Sequence, residues 1–416
     1  MNTSELIHQM ASRARAAAAG MRRLDTRAKN ALLLAIADRL EADREAIASA
    51  NAEDVAAAKA AGISSAMVDR LTLTPARFKS MVDGVRYVAE LPDPVGEVIW
   101  TRERPSGIEI RKVREPFGVV AVVFESRPNV FVDTAALCLK TGNAIILRGG
   151  KEAIRSNTAL ASSVRSALEG TVPDAVQFVE MLDHAAVTEL VRATGLVDVA
   201  IPRGGERLIR AMCEAALIPV LKHYKGVCHI YVDDKADLAM ALSILDNAKV
   251  QRPSACNAVE CLLIHERLAP LFLPMVRAWA KDKGVKLNVQ SRQEGGEWLD
   301  EGGAPVEWGR EFLALELNVG FVPGHREAIE HVNKYGSHHS DAIVTNDAER
   351  AAEFLRDVDS ACVYHNASTR FTDGAEFGMG AEIGISTDKL HARGPMGLEE
   401  LTTYKYVVTG DGTIRG

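Results

Sequence analysis

Apolar residues along the chain follow two patterns that alternate. Short runs such as Phe117–Phe124 and Ala144–Leu147 are almost continuously apolar, which is typical of strands buried on both faces of a parallel sheet. In longer stretches such as Thr26–Asn51, apolar residues recur at the spacing of a helix. Because alternating strands and helices build a sheet with helices on its faces, the pattern predicts an α/β fold with a doubly wound domain.

The predicted elements form two series. Helices of the first series are predicted at Ser4–Gly20, Thr26–Asn51, Pro75–Glu90, Asn129–Lys140, Ala153–Leu168, Ala185–Thr194 and Glu206–Ala216, and its strands at Phe117–Phe124, Ala144–Leu147, Val176–Glu180 and Val197–Ile201. The second series begins with His229–Val232 and continues through Asp237–Ala248, Val259–Ile264, Leu268–Ala280, Leu315–Val322, Glu327–Tyr335, Asp341–Thr345, Ala348–Arg356 and Ala361–Tyr364. Within it, Gly284–Pro305 carries two Gly-Gly pairs and is predicted to be an irregular excursion. In Val95–Val113, alternating residues predict a hairpin joined near Pro105–Gly107, whose edges are exposed unless another strand pairs with them.

Composition excludes several classes of protein. The net charge of −7 gives no basic surface for nucleic acid, and aromatic residues make up only 5% of the chain. The six cysteines, at positions 138, 213, 228, 256, 261 and 362, have no C-x-x-C spacing, which argues against a disulfide framework and a zinc site. Free thiols are typical of a reducing compartment, and no apolar run approaches the roughly 18 residues that cross a membrane. We therefore expect a cytoplasmic protein that binds neither nucleic acid nor membranes.

The stretch from Val250 to Glu260 contains the candidate for covalent chemistry. Pro253 cannot lie inside a helix, so Cys256 is predicted to lie on a short loop between a helix and a buried strand. A thiol presented on such a loop is a candidate nucleophile. The alternative, a small buried side chain without a chemical role, is the more common fate of a free cysteine.

Two junctions between a strand and a helix are candidates for a dinucleotide site. The chain lacks the G-x-G-x-x-G fingerprint in that context. The first junction is Leu147–Lys151, and the second is Ile201–Arg207, where Gly204 and Gly205 allow backbone N–H groups to approach a phosphate at a helix N-terminus. An ordinary solvated turn remains the alternative reading of both junctions.

Five long motifs, in one order, give the chain a specific resemblance. They are Val119–Val130, Ile201–Glu206, Val332–Asp341, Asn366–Gly374 and Lys389–Lys405. Together with the Cys256 segment they resemble the gamma-glutamyl phosphate reductases (glutamate-5-semialdehyde dehydrogenases), a branch of the aldehyde dehydrogenase superfamily. The resemblance covers essentially the whole chain.

The resemblance implies an aldehyde dehydrogenase-like architecture of three parts. It implies a dinucleotide-binding domain at 1–96 and 114–230, a catalytic domain at 231–400, and an oligomerisation arm at 97–113 and 401–416. A similar arm joins subunits in the superfamily together with a C-terminal strand, for which Tyr404–Thr409 is the candidate here. A homo-oligomer is therefore expected, and glutamate 5-kinase is a further partner that the resemblance suggests.

The reaction implied by the resemblance is the NADPH-dependent reduction of L-glutamate 5-phosphate to L-glutamate 5-semialdehyde with release of phosphate, a step of proline biosynthesis. Cys256 would attack the acyl phosphate, and the thioester would accept a hydride from the nicotinamide. The tetrahedral oxyanion needs fixed donors. The resemblance points to Asn129 for that role, with Arg127 as its rival, and Asn129 as a cap of the following helix is the structural alternative.

Other site residues follow from the same resemblance. Arg148 and Lys151 stand where NAD-using relatives carry a lysine and an acid at the adenine ribose. Because a lysine attracts a 2′-phosphate that an acid would repel, we expect NADP rather than NAD. Glu316 is the candidate for the nicotinamide ribose, and Arg127 and Arg370 are candidates for the anionic groups of the substrate.

The segment Leu221–Cys228 argues against a hydrolytic enzyme. Hydrolytic aldehyde dehydrogenases use a glutamate to activate water, and the corresponding segment, Leu221–Cys228, has no carboxylate, although His223 could substitute. The remaining alternatives are a water-using aldehyde dehydrogenase, an inactive homologue that serves in binding, and an acyltransferase without redox chemistry. Phosphate dependence of the reaction distinguishes the water-using enzyme. The presence of the thiol argues against an inactive homologue, and a change in nicotinamide absorbance distinguishes a reductase from an acyltransferase.

Overall fold

A computed structural model gives the fold and describes residues 2–295 and 297–415. The helices, in chain order, are α1 (Thr3–Met21), α2 (Thr26–Ala42), α3 (Arg44–Ala60), α4 (Ser65–Leu71), α5 (Pro75–Glu90), α6 (Asn129–Lys140), α7 (Ile154–Leu168), α8 (Ala185–Val191), α9 (Glu206–Ala215), α10 (Leu238–Val250), α11 (Ala269–Lys283), α12 (His325–Tyr335) and α13 (Ala348–Asp357). The strands are β1 (Val98–Glu103), β2 (Glu109–Pro116), β3 (Val119–Phe124), β4 (Ala144–Arg148), β5 (Val176–Phe178), β6 (Val199–Arg203), β7 (Cys228–Val232), β8 (Val259–His265), β9 (Lys286–Glu294), β10 (Glu297–Asp300), β11 (Glu316–Val322), β12 (Ser340–Val344), β13 (Cys362–His365), β14 (Gly384–Ser386), β15 (Gly394–Met396) and β16 (Thr402–Thr409).

The described chain divides into two compact units. The first runs up to Lys222 and includes Gly378–Gly384 and the chain from Met396 onward, and the second comprises His223–Phe377 and Ile385–Pro395. The predicted α/β class is confirmed in both, because each contains a parallel sheet. The finer predicted boundaries of a dinucleotide-binding domain, a catalytic domain and an arm stay a prediction.

The first unit contains a four-stranded parallel sheet in the order β5-β4-β3-β6. Strand β3 is buried along its whole length, as its unbroken apolar run predicts. Helices α1 and α8 pack against the face of the sheet that carries Val119, Ala121 and Val123. The two junctions that were predicted to bind the dinucleotide follow strands of this sheet: Lys151 follows β4, and Gly204 follows β6.

A separate antiparallel sheet in the first unit has the order β1-β2-β16. The predicted hairpin is confirmed, and its turn is closed by a hydrogen bond from Gly107 N to the carbonyl of Arg104, 2.9 Å long. Strand β16 pairs with β2 over its full length, which leaves β1 and β16 as the two edge strands. Tyr406 and Val408 on β16 are more than half exposed. Two unpaired edges, one of them with exposed apolar residues, are typical of a surface that another chain covers.

The second unit is built on a seven-stranded sheet in the order β10-β9-β11-β8-β7-β12-β13. All neighbouring strands are parallel except β10, which runs antiparallel to β9. The prediction that Gly284–Pro305 is irregular was wrong, since β9 and β10 form a hairpin there. The hairpin lies at the edge of the sheet, and most of its side chains whose burial the structure describes are partly or fully exposed. Its polar sequence therefore lacks the apolar run by which buried strands are recognised.

Other differences concern the division and the number of elements. The predicted helix Thr26–Asn51 is two helices, α2 and α3, separated at Asp43, and α4 was not predicted. Asp43 accepts hydrogen bonds from Arg39 and from the hydroxyl of Ser163, which hold it outside regular helical geometry. No helix in the part of the chain that the structure describes is long and apolar enough to cross a membrane.

Candidate active site

Cys256 lies on a tight loop at one end of the central sheet of the second unit. Helix α10 ends at Val250 and strand β8 begins at Val259, so the loop contains only the residues between them. A backbone hydrogen bond from Ala255 N to the carbonyl of Arg252, 3.1 Å long, forms the turn, and Cys256 is partly exposed. The predicted position of the thiol, between a helix and a buried strand, is confirmed.

A buried ion pair fastens the two ends of this loop. The ammonium of Lys249 lies 2.6 Å from a carboxylate oxygen of Glu260 and donates to the carbonyl of Val259 at 2.9 Å. Both side chains are fully buried. Burial raises the pKa of Glu260 to about 7, although Lys249 opposes the shift. Removing either partner would leave an unpaired charge inside the unit, so the pair fixes the loop on both sides of Cys256.

The backbone of Cys256 is approached closely by a second segment at Gly226. A Cβ atom built on Gly226 would lie 1.7 Å from the carbonyl oxygen of Cys256. The same carbonyl accepts a weak hydrogen bond from the thiol of Cys228, with the sulfur 3.3 Å away. Only glycine fits at this crossing, which explains its place in Leu221–Cys228.

We expect Gly226→Ala to displace the Cys256 loop and to lower kcat/KM by at least about tenfold, because a misplacement of about 1 Å is sufficient for such losses. Steady-state kinetics and thermal unfolding measure the effect. Gly84→Ala is the matched control, because a Cβ there meets nothing within 4 Å and the residue lies inside α5. A Gly226→Ala enzyme as active as the Gly84→Ala enzyme would contradict the importance of this crossing.

Two histidines lie beside Cys256. One ring nitrogen of His223, one of His339 and the sulfur of Cys256 all lie within 4.8 Å of one another. The two rings are 5.3 Å apart, with an angle of 76° between their planes. Nδ1 of His223 lies 2.9 Å from the carbonyl oxygen of Ile385, and Nδ1 of the fully buried His339 lies 2.9 Å from the hydroxyl of Ser340.

The strand order of the sheet explains why these residues meet. His223 precedes β7, Cys256 precedes β8 and His339 precedes β12. Strands β8, β7 and β12 are neighbours and run parallel, so their starting ends lie at the same edge. The sequence pointed to Cys256, considered His223 only as a substitute for the water-activating glutamate, and gave His339 no role. The order of strands in a sheet, which brings the three together, is not visible in the sequence.

The electrostatic surroundings favour the thiolate. Burial alone would raise the pKa of the Cys256 thiol, but the positive charge of His339 and the interaction with His223 outweigh burial and hold the pKa well below its usual value. Cys228, another thiol at this end of the sheet, is fully buried, and burial raises its pKa well above its usual value. Cys256 is therefore the more reactive of the two.

Glu311 is a carboxylate near the thiol that the sequence analysis missed. Its Oε1 accepts a hydrogen bond of 2.8 Å from the backbone N–H of Gly226. Burial raises the pKa of Glu311, and the charge of Cys256 adds to this rise. Glu311 precedes β11, which lies next to β8, so its position follows from the same strand order. The segment Leu221–Cys228 supplies no carboxylate, but Glu311 contacts its backbone.

The loop that follows β13 holds the Cys256 loop from the other side. The hydroxyl of Thr369 donates to the carbonyl of Asn257 at 2.7 Å, and the amide of Asn257 donates to the carbonyl of Thr372 at 2.9 Å. The guanidinium of Arg370 bonds to the side chains of Asn257 and Gln251. Burial lowers the pKa of Arg370, and its charge interacts with Cys256. Arg370, a predicted substrate residue, therefore lies on the loop that touches the cysteine segment.

The first predicted dinucleotide junction follows β4 in the first unit. Lys151 is exposed at the start of the short helical turn Lys151–Ala153. Arg148 is buried and donates to the carbonyl of Leu182 at 3.1 Å, so Lys151 is the more accessible cation. The neighbouring Glu152 accepts hydrogen bonds from the backbone N–H and hydroxyl of Ser126, at 2.7 and 2.6 Å. Glu152 is thus bound within the first unit, and Lys151 is the exposed charged residue of the junction.

The second junction follows β6, where Gly205 is the N-cap of α9. Its backbone N–H donates to a carboxylate oxygen of Glu125 at 2.9 Å. A Cβ on Gly204 would lie 2.5 Å from the same carboxylate. An anion therefore already lies at this helix N-terminus, as the dipole and the unpaired N–H groups favour. The role of Gly204 and Gly205 in binding the cofactor stays a prediction.

The remaining predicted residues are placed as follows. Asn129 is the first residue of α6 and donates from its amide to Asp133 at 2.8 Å, so it does not cap the helix. Arg127 lies two residues before it, next to Ser126, whose φ is 44°. Glu316, at the start of β11, accepts hydrogen bonds from Lys286 and Asn288 at 2.9 and 3.0 Å. Asn129 and Arg127 belong to the first unit, and Glu316 belongs to the second.

Three comparisons with known proteins bear on this site. The model of the aldehyde dehydrogenase family matches residues 1–294. The chain is 51% identical to the gamma-glutamyl phosphate reductase of Desulforamulus reducens, over 98% of this chain and 99% of that protein. It is 51% identical to the same enzyme of Moorella thermoacetica, with 100% of both chains covered. The crystal structure of the gamma-glutamyl phosphate reductase from Thermotoga maritima superimposes with a TM-score of 0.94 at 42% identity, covering 99% of this chain and 100% of that chain.

Proposed function

Because the chain belongs to the gamma-glutamyl phosphate reductases, a branch of the aldehyde dehydrogenase family, we propose that Cys256 carries the acyl group of its substrate as a thioester. The enzyme reduces glutamate 5-phosphate in proline biosynthesis and uses a nicotinamide cofactor. The proposal adds the cofactor species, NADPH, and the products, L-glutamate 5-semialdehyde and phosphate. The observation that carries it is the loop thiol beside His223 and His339.

Covalent capture divides the reduction into two steps. The thiolate of Cys256 attacks the acyl carbon, a C–S bond forms, and the C–O bond to phosphate breaks so that phosphate leaves with its electron pair. The nicotinamide, when bound, supplies the hydride for the second step. The C–S bond then breaks, the aldehyde leaves, and Cys256 is again a thiolate. The two histidines favour the thiolate at the start and at the end of this cycle.

The oxyanion that forms in both steps needs donors that are already in place. We assign this role to Asn129, with Arg127 as the alternative within the same loop. The amide of Asn129 has two N–H groups, and the bond to Asp133 uses only one of them. For the anionic groups of the substrate we assign Arg370, whose loop contacts Asn257 beside the thiol. Arg127 is assigned to the substrate on its charge alone.

NADP rather than NAD is proposed on the charge at the first junction. Lys151 is exposed there, Glu152 is bound to Ser126, and Arg148 adds a buried positive charge. The phosphates of the cofactor are assigned to the backbone of Gly204 and Gly205, where the carboxylate of Glu125 now lies. Glu316 as a partner of the nicotinamide ribose stays a proposal, and its bonds to Lys286 and Asn288 would have to be exchanged.

Further proposals concern partners and location. The exposed edges of the sheet β1-β2-β16 support a homo-oligomer that covers them. Association with glutamate 5-kinase rests on the resemblance alone. A cytoplasmic location is supported by six cysteines that are all free.

The acceptor of the acyl group decides between this function and its hydrolytic alternative. With semialdehyde and NADP as substrates, we expect oxidation to require inorganic phosphate, because phosphate is the second substrate of the reverse reaction. Absorbance at the nicotinamide band, followed with and without phosphate and with each nucleotide, measures both the acceptor and the cofactor preference. Rapid oxidation in the absence of phosphate would show that water reaches the thioester, with Glu311 as the carboxylate to suspect.

A further inference from the structure

We propose that His223, Cys256 and His339 form a binding site for Zn²⁺, and that an ion bound there blocks the thiol reversibly. One sulfur and two imidazole nitrogens lie within 4.8 Å of one another. Thiolate and imidazole are the ligands that zinc prefers in proteins. The inhibitory part of this inference rests on the function proposed for Cys256, whereas the binding part rests on geometry alone.

The spacing of the three donor atoms is close to that of a bound ion. With Zn–S near 2.3 Å and Zn–N near 2.0–2.1 Å, a tetrahedral ion holds its donors about 3.4–3.6 Å apart. The donors of this site lie within 4.8 Å of one another, so they need to approach by at most about 1.2–1.4 Å. Three protein ligands leave a fourth position for water, the composition of an accessible zinc site rather than of a closed structural one.

The hydrogen bond of His223 prepares its ring for a metal. Its Nδ1 lies 2.9 Å from the carbonyl oxygen of Ile385, and a carbonyl oxygen only accepts. Nδ1 therefore carries the hydrogen in the neutral ring, and Nε2 carries the lone pair. Zinc-binding histidines commonly donate their other ring N–H to a carbonyl or carboxylate in this way.

His339 supplies an independent observation. It is fully buried, and its Nε2 has no hydrogen-bond partner among the described residues. A buried polar atom without a hydrogen bond is unfavourable, so its presence calls for a ligand. Its Nδ1 contacts the hydroxyl of Ser340, which contacts Thr372 at 2.6 Å, and Thr372 in turn contacts the hydroxyl of Tyr364 at 2.7 Å. This chain of hydroxyls fixes the ring without using Nε2.

Binding of the ion changes no oxidation state. Cys256 binds as the thiolate that its surroundings favour, and His339 gives up its proton to solvent so that the neutral ring can bind. The electron pair of the sulfur that would attack the acyl carbon is then shared with the metal. The substrate cannot be acylated onto the sulfur while the ion is present, and a chelator restores the thiolate. Zinc would thus act as an inhibitor that competes with the acyl phosphate.

Cobalt(II) tests the site directly, because a thiolate bound to Co²⁺ gives a charge-transfer absorption that imidazole alone does not give. We expect the full-length protein to bind one Co²⁺ with this band and Zn²⁺ to displace it. The band should be lost in Cys256→Ser, and the affinity should fall at least tenfold in His339→Gln and in His223→Gln. Cys213→Ser is the matched control, because Cys213 is the other partly exposed thiol, and it should keep the band.

A second measurement uses only the unaltered protein. Zn²⁺ should protect Cys256 from iodoacetamide, as read by mass spectrometry of its peptide, and a chelator should remove the protection. A thiolate–cobalt band that survives in Cys256→Ser, or no protection of Cys256, would overturn the metal site. If cobalt binds as expected but Zn²⁺ leaves turnover unchanged, the metal site stands and the catalytic role proposed for Cys256 fails.

Discussion

Replacement of Cys256 by alanine is expected to abolish the reduction of glutamate 5-phosphate, with a loss of kcat of more than about a thousandfold, since removal of a nucleophile costs that much or more in enzymes with covalent intermediates. Nucleotide binding should change by no more than about twofold, because the residues proposed for the adenine ribose and the phosphates belong to the first unit and Cys256 to the second. Stopped-flow or steady-state absorbance gives the rate, and fluorescence titration with NADPH gives the affinity.

Two controls make this result specific. Cys213→Ser should retain activity, because Cys213 lies on α9 in the other unit. Circular dichroism should show that the Cys256→Ala protein folds as the unaltered protein does. Unchanged turnover in folded Cys256→Ala would refute the assignment of the nucleophile, and Cys228 is too deeply buried to replace it.

The Lys151→Glu variant is expected to shift the preference for NADP over NAD, measured as the ratio of kcat/KM values, toward NAD by roughly 30–150-fold. A unit charge within about 4 Å of another contributes about 1 kcal/mol in water and up to about 4 kcal/mol near a protein surface. Reversal of the charge at an exposed position should therefore change the difference by about 2–3 kcal/mol. The 2′-phosphate is the only group that distinguishes the two nucleotides, so the effect should fall on NADP.

Lys151→Gln is the control for this prediction, and it should produce a smaller shift in the same direction. Both variants need measurement at one low ionic strength, because salt screens an exposed charge. An unaltered ratio in Lys151→Glu would remove Lys151 from the cofactor site and would leave Arg148 as the remaining cation of the junction. The loss of all activity in both variants would instead indicate a structural role of the turn.

The sequence predicted the elements of the fold better than the neighbours within each sheet. Buried strands such as β3 and β8 are unbroken apolar runs, and helix α5 begins at Pro75 behind its N-cap Thr74, so local chemistry defines them. The hairpin of β9 and β10 was missed because an edge strand with polar residues carries no such signal. Whether Tyr404–Thr409 pairs within the chain was also open, and the structure pairs it with β2.

Residues of the candidate site likewise differ in whether the local sequence indicates them. Cys256 and the glycine pair at 204 and 205 could be singled out because loops with Pro or Gly have local signatures, and their roles stay predictions. His223, His339 and Glu311 were given no firm role or were missed, since they meet Cys256 only through the order of β11, β8, β7 and β12. Asn129 was predicted to be an oxyanion donor, with a cap of the following helix as the alternative. In the structure its amide donates to Asp133, which is neither of these roles. Side-chain pairing of this kind depends on tertiary structure that a pattern of residue types does not specify.

The measurement that tests the central claim most directly is the capture of the acyl group on the enzyme. The full-length protein is mixed with L-glutamate 5-semialdehyde and NADP in the absence of phosphate, quenched in acid and digested, and the peptides are analysed by mass spectrometry. We expect a glutamyl adduct on the peptide that contains Cys256, and its disappearance when phosphate is added before the quench. An adduct on another residue, or NADPH formation without any adduct at Cys256, would contradict the account.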